Sequence, residues 1–148
     1  MSNGILIGCE QAVAHWAFKA HNKVPHHCDR AIGIVNSGGQ LVGAALIHSY
    51  NGCNATLSYY GKQTVTLGIV RSLAKISILD LDLGRVTVVV PKKSKRLARA
   101  LLKFGFKVEG VQRCYFCHRD CPRNTGVRFV MFRERILQLA ELDIEKAA

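Results

Sequence analysis

Late in the chain, three cysteines and one histidine have the spacing of a metal site. Cys114, Cys117 and Cys121 form the pattern Cys-x-x-Cys-x-x-x-Cys, and His118 stands between the last two. Three thiolates and an imidazole can hold Zn²⁺ tetrahedrally, and the earlier His26-His27-Cys28 sequence could supply a missing ligand. Cys114 is predicted to lie inside a strand, however, which favours a hairpin with reduced thiols. We therefore expect no bound metal, with zinc at Cys114, Cys117, His118 and Cys121 as the alternative.

A second stretch that could bind a ligand is the polar loop of residues 61–68. It has a glycine at each end and joins a predicted strand (55–60) to a predicted helix (66–79). The first N–H groups of a helix have no partners within the helix and carry a partial positive charge. They point beyond the end of the preceding strand and can bind a phosphate. The sequence therefore predicts an anion site at this turn.

The composition indicates one folded domain that attracts anions. Of the 148 residues, 49% are hydrophobic and 21% are charged, and we expect a single domain over residues 1–148. No apolar run reaches the roughly 18 residues of a membrane span, and we expect no signal peptide, a cytoplasmic location and reduced cysteines. The 21 Lys and Arg outnumber the 10 Asp and Glu, so the net charge is +11. Such a charge attracts nucleic acid, an acidic protein or a phosphorylated cofactor.

Hydrophobic periodicity and glycine turns predict a mixed α/β fold. The turns at residues 36–39 and 51–52 indicate an antiparallel meander of three strands. Two strand–helix–strand crossovers are expected to make neighbouring strands parallel, with a ligand site where strands 55–60 and 85–90 diverge. The predicted strands are residues 5–7, 31–35, 40–48, 55–60, 85–90, 106–116 and 127–132, and the predicted helices are residues 10–20, 66–79, 92–104 and a polar helix from residue 134.

The run RVTVVVPKKSKRLARALLKFGFKVEGV, residues 85–111, resembles the second half of the GNAT N-acetyltransferase superfamily. In that superfamily a strand leads into a helix that ends in Leu/Phe-Gly-Phe, and a strand with Glu-Gly follows. The run QTVTLG, residues 63–68, resembles its Gln/Arg-x-x-Gly-x-Gly/Ala loop. More narrowly, Tyr59-Tyr60-Gly61, residues 66–71 and residues 130–134 resemble the GNAT-type acetyltransferases of tailed phages and prophages. The resemblance covers residues 31–132.

The resemblance implies a GNAT-like fold and an acetyl-CoA-dependent N-acetyltransferase. In this fold a mixed, mostly antiparallel sheet is flanked by helices, and strands 55–60 and 85–90 diverge in a V. The acetyl group would pass directly to a primary amine, while the backbone of strand 55–60 pairs with pantetheine and the loop binds the pyrophosphate. The residues that the resemblance implies for the cofactor are Leu57, Tyr59, Lys62, Gln63, Thr64, Val65, Thr66, Leu67, Gly68 and Ser94.

Direct transfer requires a neutral amine, so a proton acceptor is expected near the point where the strands diverge. The catalytic candidates are His48, Tyr59 and Tyr60. Histidine titrates near neutral pH and is the usual proton acceptor. Each of the three also fits an ordinary packing role at a strand end.

Three positions depart from the superfamily pattern. Thr66 stands in place of the first glycine of the loop; its Cβ crowds a phosphate, although its hydroxyl can donate a hydrogen bond. Leu101 stands where a tyrosine often protonates the leaving thiolate, and Ser94 where asparagine is frequent. These departures leave a second hypothesis, a catalytically weakened GNAT-fold module that binds nucleic acid, a host protein or a virion component.

A run of positive charge at the start of the predicted helix 92–104 has three interpretations. It is a solvated helix face, a contact for the 3′-phosphate of CoA, or part of a nucleic-acid surface. The apolar stripe of that helix is predicted to contain Leu97, Leu101 and Phe104, with Ala98 and Ala100. The cations are Lys92, Lys93, Lys95, Arg96 and Arg99.

Overall fold

The computed structural model describes residues 3–21, 23, 26–61 and 65–141. Its strands form one seven-stranded sheet in the order β1-β2-β3-β4-β5-β7-β6. Of the six strand pairings within these residues, only that of β4 with β5 is parallel. The elements are β1 (Gly4–Leu6), α1 (Glu10–Ala20), β2 (Arg30–Val35), β3 (Leu41–His48), β4 (Asn54–Gly61), α2 (Leu67–Leu79), β5 (Arg85–Pro91), α3 (Lys95–Phe104), β6 (Lys107–Gln112), β7 (Gly126–Phe132) and α4 (Arg133–Ala140), with a short 3₁₀ turn at Pro122–Asn124 before β7.

Strands β2, β3 and β4 form the predicted antiparallel meander. The turn between β2 and β3 is held by Asn36, whose Oδ1 accepts hydrogen bonds from the N–H groups of Gly38 and Gln40 at 3.0 Å. This local bond fixes the turn independently of the sheet.

The strand order and the six pairings confirm the predicted fold class, a mixed, mostly antiparallel sheet flanked by helices.

The second crossover does not make neighbouring strands parallel, and that prediction is wrong. β7 lies between β5 and β6, and it pairs with β5 along seven residues, from Arg85 opposite Phe132 to Pro91 opposite Gly126. β6 is consequently an edge strand. Its Val108 and Val111 are 56% and 57% exposed, as expected for an edge.

The helices cover the sheet from both sides. On one face, Val13, Ala17 and Phe18 of α1 pack on Ala31 and Leu46; we call this the α1 face. On the other face, which we call the α2 face, α2 and α4 pack on β2, β3 and β5 in the largest core cluster. Within the described residues, no helix has the length and apolar character that a membrane crossing requires.

Helix α4 is not the polar helix that its composition predicts. Ile136, Leu137 and Leu139 are buried in the core, and α4 packs against α2. The charged residues at its start dominate the composition, whereas the apolar residues gather on one side of the helix.

The strand predicted for residues 106–116 is shorter in the structure. β6 ends at Gln112, and Cys114 has a left-handed backbone with φ of 54°. The ring of Tyr115 packs against Gly126, where an added Cβ would lie 3.1 Å from Cγ of that ring. Cys114 therefore lies in a turn outside the strand, and its predicted strand position is wrong.

Helix α3 contacts the sheet along a narrower stripe than predicted. Ala98 and Leu101 pack against Val88 and Val90, and Phe104 contacts the main core. Leu97 is 47% exposed and Ala100 is also exposed, so their predicted packing is wrong. The contacting positions recur every third residue, and the neighbours on either side turn away from the sheet.

Gly105 ends α3 in the left-handed conformation, with φ of 106°. An alanine Cβ here would lie 2.5 Å from Nε of Arg135, whose Nε–H donates to the carbonyl of Phe104 at 2.9 Å. We expect Gly105→Ala to lower the free energy of unfolding by about 1–2 kcal/mol, because alanine is strained in the left-handed conformation. The collision of its Cβ with Arg135 lowers the free energy of unfolding further. Gly110→Ala is the matched control, since its Cβ would meet no atom of the described residues within 4 Å. Equal denaturant midpoints for the two variants would contradict the capping role.

Candidate functional site

Strands β4 and β5 pair over three residues and then separate. The pairs are Asn54–Arg85, Ala55–Val86 and Thr56–Thr87. Beyond Thr56, β4 stays paired with β3 as far as Gly61, while β5 stays paired with β7 as far as Pro91. The predicted divergence is therefore confirmed. We call the opening between residues 57–61 and 88–91 the wedge.

The start of α2 lies at the carboxyl end of β4. Thr66 is the N-cap, and its Oγ1 accepts a hydrogen bond from the N–H of Ile69 at 3.3 Å. The N–H groups of Leu67 and Gly68 have no acceptor among residues 3–61 and 65–141 for which the structure gives positions. These two N–H groups can receive an anion. Lys62, Gln63 and Thr64 lie outside the described residues, and Val65 is half-buried just before the cap.

The start of α2 leaves room at Gly68 among the residues that the structure describes. Of these, an added Cβ on Gly68 would meet Oγ1 of Thr66 alone within 4 Å, at 3.8 Å, and the first turn contains no acidic residue. Because the oxygen of Thr66 is used to cap Ile69, its hydroxyl hydrogen is still able to donate to a ligand. Thr66 therefore stabilises the helix start while it retains a donor.

The start of α3 lies at the same edge of the sheet, at the carboxyl end of β5. The N–H of Ser94 donates to the carbonyl of Pro91 at 2.8 Å, and its side chain makes no capping bond. The first turn holds Lys95 and Arg96 and no acidic residue. Cations at the positive end of a helix cost about 0.3–1 kcal/mol each unless an anion is bound. Two helices thus present unbalanced positive ends near the mouth of the wedge.

The pleat of β4 separates the two tyrosines. Tyr59 packs with the main core on the α2 face, and its hydroxyl would be 2.6 Å from a Cβ on Gly43. Tyr60 lies on the α1 face, with its ring centroid 5.2 Å from that of His21. Burial raises the pKa of both hydroxyls, and nearby Cys28 and Tyr115 raise that of Tyr60 further. Both are proton donors at neutral pH.

His48 ends β3 opposite Thr56, the last residue of β4 that pairs with β5. Its Nε2 lies 3.0 Å from Oγ of Ser58, and its Nδ1 lies 3.3 Å from Oγ of Ser49. Burial and then the adjacent His26, whose ring centroid is 5.1 Å away, lower the pKa of His48, while Asp29 opposes that shift. His48 is thus held in its neutral, proton-accepting form near neutral pH.

Ser58 is not among the site residues predicted from the sequence, and His26 is predicted only as part of a possible metal ligand set. Thr56, Ser58 and Tyr60 alternate as polar residues along β4, and this period of two was a signal that they share a face. The pairing of Ser58 with His48 depends on the register between β3 and β4, for which the sequence has no marker.

The cysteine-rich turn does not have the geometry of a metal site. Among residues 3–21, 23, 26–61 and 65–141, no group of three or more His, Cys, Asp or Glu side chains is arranged to hold a metal ion. Cys117 Sγ contacts Nδ1 of its neighbour His118 at 3.6 Å, and Arg113 is ion-paired with Asp120 across the turn. The zinc alternative at Cys114, Cys117, His118 and Cys121 gains no support.

Several solved structures are similar to this chain. A dodecameric spermidine N-acetyltransferase from Vibrio cholerae matches with a TM-score of 0.74 and 11% identity, over 91% of this chain and 96% of that one. A chimera of the Vibrio cholerae spermidine N-acetyltransferase SpeG with hSSAT has a TM-score of 0.63 and 15% identity, over 82% of this chain and 77% of that one. A probable acetyltransferase has a TM-score of 0.59 and 18% identity, over 71% of this chain and 61% of that one. By sequence, the chain matches no protein-family model and no curated protein.

The chain has the GNAT fold. At these identities the likeness is one of fold, and the roles of individual residues rest on the geometry of this chain. Of the residues that the sequence resemblance implies for the cofactor, Leu57 and Tyr59 border the wedge and Thr66, Leu67 and Gly68 form the start of α2. Their role in binding a cofactor stays a prediction. Leu101 packs into the core beside Val88 and Val90, so it has no part in proton transfer.

Thr66 provides a direct test of the start of α2. We expect Thr66→Ala to lower the free energy of unfolding by about 1 kcal/mol, because the N–H of Ile69 loses its acceptor. Thr66→Ser keeps the oxygen and serves as the matched control, with stability close to wild type in chemical denaturation. If alanine and serine gave the same stability, Thr66 would not be the cap of α2.

Proposed function

We propose that this chain is an acetyl-CoA-dependent N-acetyltransferase that passes the acetyl group directly to a primary amine. The observation that supports it is the wedge, where the edge of β4 beyond Thr56 is not paired with β5 and leads towards the N-terminus of α2. This combination provides backbone groups for an extended amide-containing arm and N–H groups for the phosphates at its end.

In the proposed complex, the pantetheine arm lies in the wedge against the backbone of Leu57 and Tyr59. The pyrophosphate lies at the N–H groups of Leu67 and Gly68, with the hydroxyl of Thr66 as a further donor. Lys95 and Arg96 at the start of α3 supply positive charge for the 3′-phosphate, near Ser94. The unbalanced positive charge at both helix starts supports this placement.

Proton transfer is assigned to the α1 face of β4. His48 is the proposed proton acceptor for the amine, because its lowered pKa keeps it neutral. Tyr60 is the proposed proton donor to the CoA thiolate, in place of the tyrosine that Leu101 replaces, because its raised pKa keeps it protonated. Tyr59 is assigned to packing and backbone contacts, since its ring lies in the core on the opposite face. Such opposite shifts are typical of acid and base partners.

The primary-amine acceptor, the cytoplasmic location and the phage origin stay predictions, and the sequence does not identify the particular amine. Two of the three similar structures named above are spermidine N-acetyltransferases, which makes spermidine the first amine to assay. The cytoplasmic location and the kinship with phage and prophage members rest on the sequence resemblance.

Binding of acetyl-CoA tests the proposal. Calorimetry of the wild-type chain is expected to give a Kd tighter than about 100 μM. We expect Gly68→Glu to weaken binding by roughly tenfold or more, because a carboxylate then faces the pyrophosphate. The same substitution favours the helix, since an acidic residue in the first turn complements the dipole. Gly68→Ala is the matched control, and no heat with wild-type protein at millimolar acetyl-CoA would refute the function.

A second candidate function is a module that binds a polyanion such as nucleic acid. One exposed face supports it: the cations of residues 92–103 are all exposed, and none is ion-paired with a residue whose position the structure gives. Its members are Lys92, Lys93, Lys95, Arg96, Arg99 and Lys103.

Fluorescence anisotropy with a duplex DNA tests this second function. A surface of this kind gives affinity that falls steeply with added salt, and Arg96→Glu with Arg99→Glu is expected to reduce both the affinity and the salt slope. Lys75→Glu is the control, because it changes the charge in the same direction at an exposed position of α2. DNA binding that is absent or independent of salt would exclude this function.

A further inference from the structure

Ser58 lies where a reacting group could reach it. It stands two residues beyond Thr56, the last residue of β4 that pairs with β5, and so it borders the wedge. It lies opposite Leu46 of β3, which belongs to the core cluster of the α1 face. Because side chains alternate along a strand, Thr56, Ser58 and Tyr60 share this face, where the proposed proton donor also lies.

Each ring nitrogen of His48 faces a serine hydroxyl. Nδ1 faces the hydroxyl of Ser49 at 3.3 Å, and Nε2 faces the hydroxyl of Ser58 at 3.0 Å. If Nδ1–H donates to Ser49, then Nε2 is unprotonated and accepts from the O–H of Ser58. In that tautomer the hydroxyl of Ser58, on the strand that borders the wedge, is the hydrogen-bond donor to Nε2.

We propose that Ser58 relays the proton of the acceptor ammonium to His48. The ammonium gives a proton to Oγ of Ser58 while the hydroxyl proton of Ser58 moves to Nε2 of His48, so serine is unchanged and His48 becomes positive. The neutral amine then attacks the thioester carbonyl, the N–C bond forms and the C–S bond breaks. The N–H proton lost as the amide forms neutralises the CoA thiolate, through Tyr60, and His48 releases its proton to solvent. This relay rests on the proposed acetyl transfer.

The charges around His48 suit this cycle. His26 on the loop before β2 disfavours a positive His48, whereas Asp29 on the same loop favours one. Asp29 is itself held by the N–H of Tyr50 at 3.0 Å and by His27 at 3.3 Å. Ser49 and Ser58 are uncharged. His48 therefore accepts a proton near neutral pH and returns it readily, as a relay requires.

The test measures CoA thiol release with spermidine, L-lysine and a lysine-containing peptide as acceptors. Ser58→Ala is expected to lower kcat by about 10–100-fold, with the Kd of acetyl-CoA unchanged in calorimetry. Ser58→Thr keeps the hydroxyl and is expected to restore most of the rate. Ser37→Ala, in the exposed turn between β2 and β3, is the matched control and is expected to have wild-type activity.

The pH profile separates a relay from a merely structural role. In wild type, kcat/KM is expected to fall as the pH drops through the lowered pKa of His48, because protonated imidazole accepts no proton. In Ser58→Ala, the rate is expected to follow the neutral fraction of the amine in solution and to rise about tenfold per pH unit up to the pKa of the amine. Nitrogen-15 spectra of the imidazole ring are expected to show a neutral His48 with its proton on Nδ1.

Two outcomes overturn the relay. If wild type and Ser58→Ala transfer acetyl at the same rate with the same pH profile, the relay is wrong and the acetyltransferase function stands. If the wild-type chain neither binds acetyl-CoA nor releases thiol with any of the three amines, the proposed function is wrong and the relay fails with it.

Discussion

The separation of β4 from β5 after Thr56 and Thr87 is the constraint on which the rest of the site depends. Each strand remains fully paired on its other side, β4 with β3 and β5 with β7. Closing the opening would require β4 to lose its pairing with β3 or β5 to lose its pairing with β7. These two pairings therefore keep the wedge open. Twist between neighbouring strands supports the same geometry, because it separates strands that are anchored at one end. A backbone edge is thus kept open between two strands in the interior of the sheet.

Because side chains alternate along β4, the residues that border the wedge lie on two different faces of the sheet. Leu57 and Tyr59 pack into the core on the α2 face, while Ser58 and Tyr60 lie on the α1 face with His48. A shift of one residue in the register between β3 and β4 would exchange these roles. The close approach of the Tyr59 hydroxyl to Gly43 and Gly61 helps to fix that register, because a side chain at either glycine would collide with it.

Positive charge gathers at the end of the sheet where the wedge opens. The first turns of α2 and α3 contain no acidic residue, and that of α3 holds two cations. The two cations at the start of α3 are unfavourable for an isolated helix, and this supports the proposed anion site.

The sequence by itself determined the order of helices and strands, the β2–β3 turn at Asn36, the α3 cap at Gly105 and the region of the α2 start. These features depend on local chemistry, namely side-chain periodicity, Asx bonding and the left-handed freedom of glycine. Only the tertiary structure decided that β7 lies between β5 and β6, that Leu97 is exposed and that Ser58 reaches His48. Each of these depends on which distant segments pair and in what register, and a single chain carries no local record of that pairing.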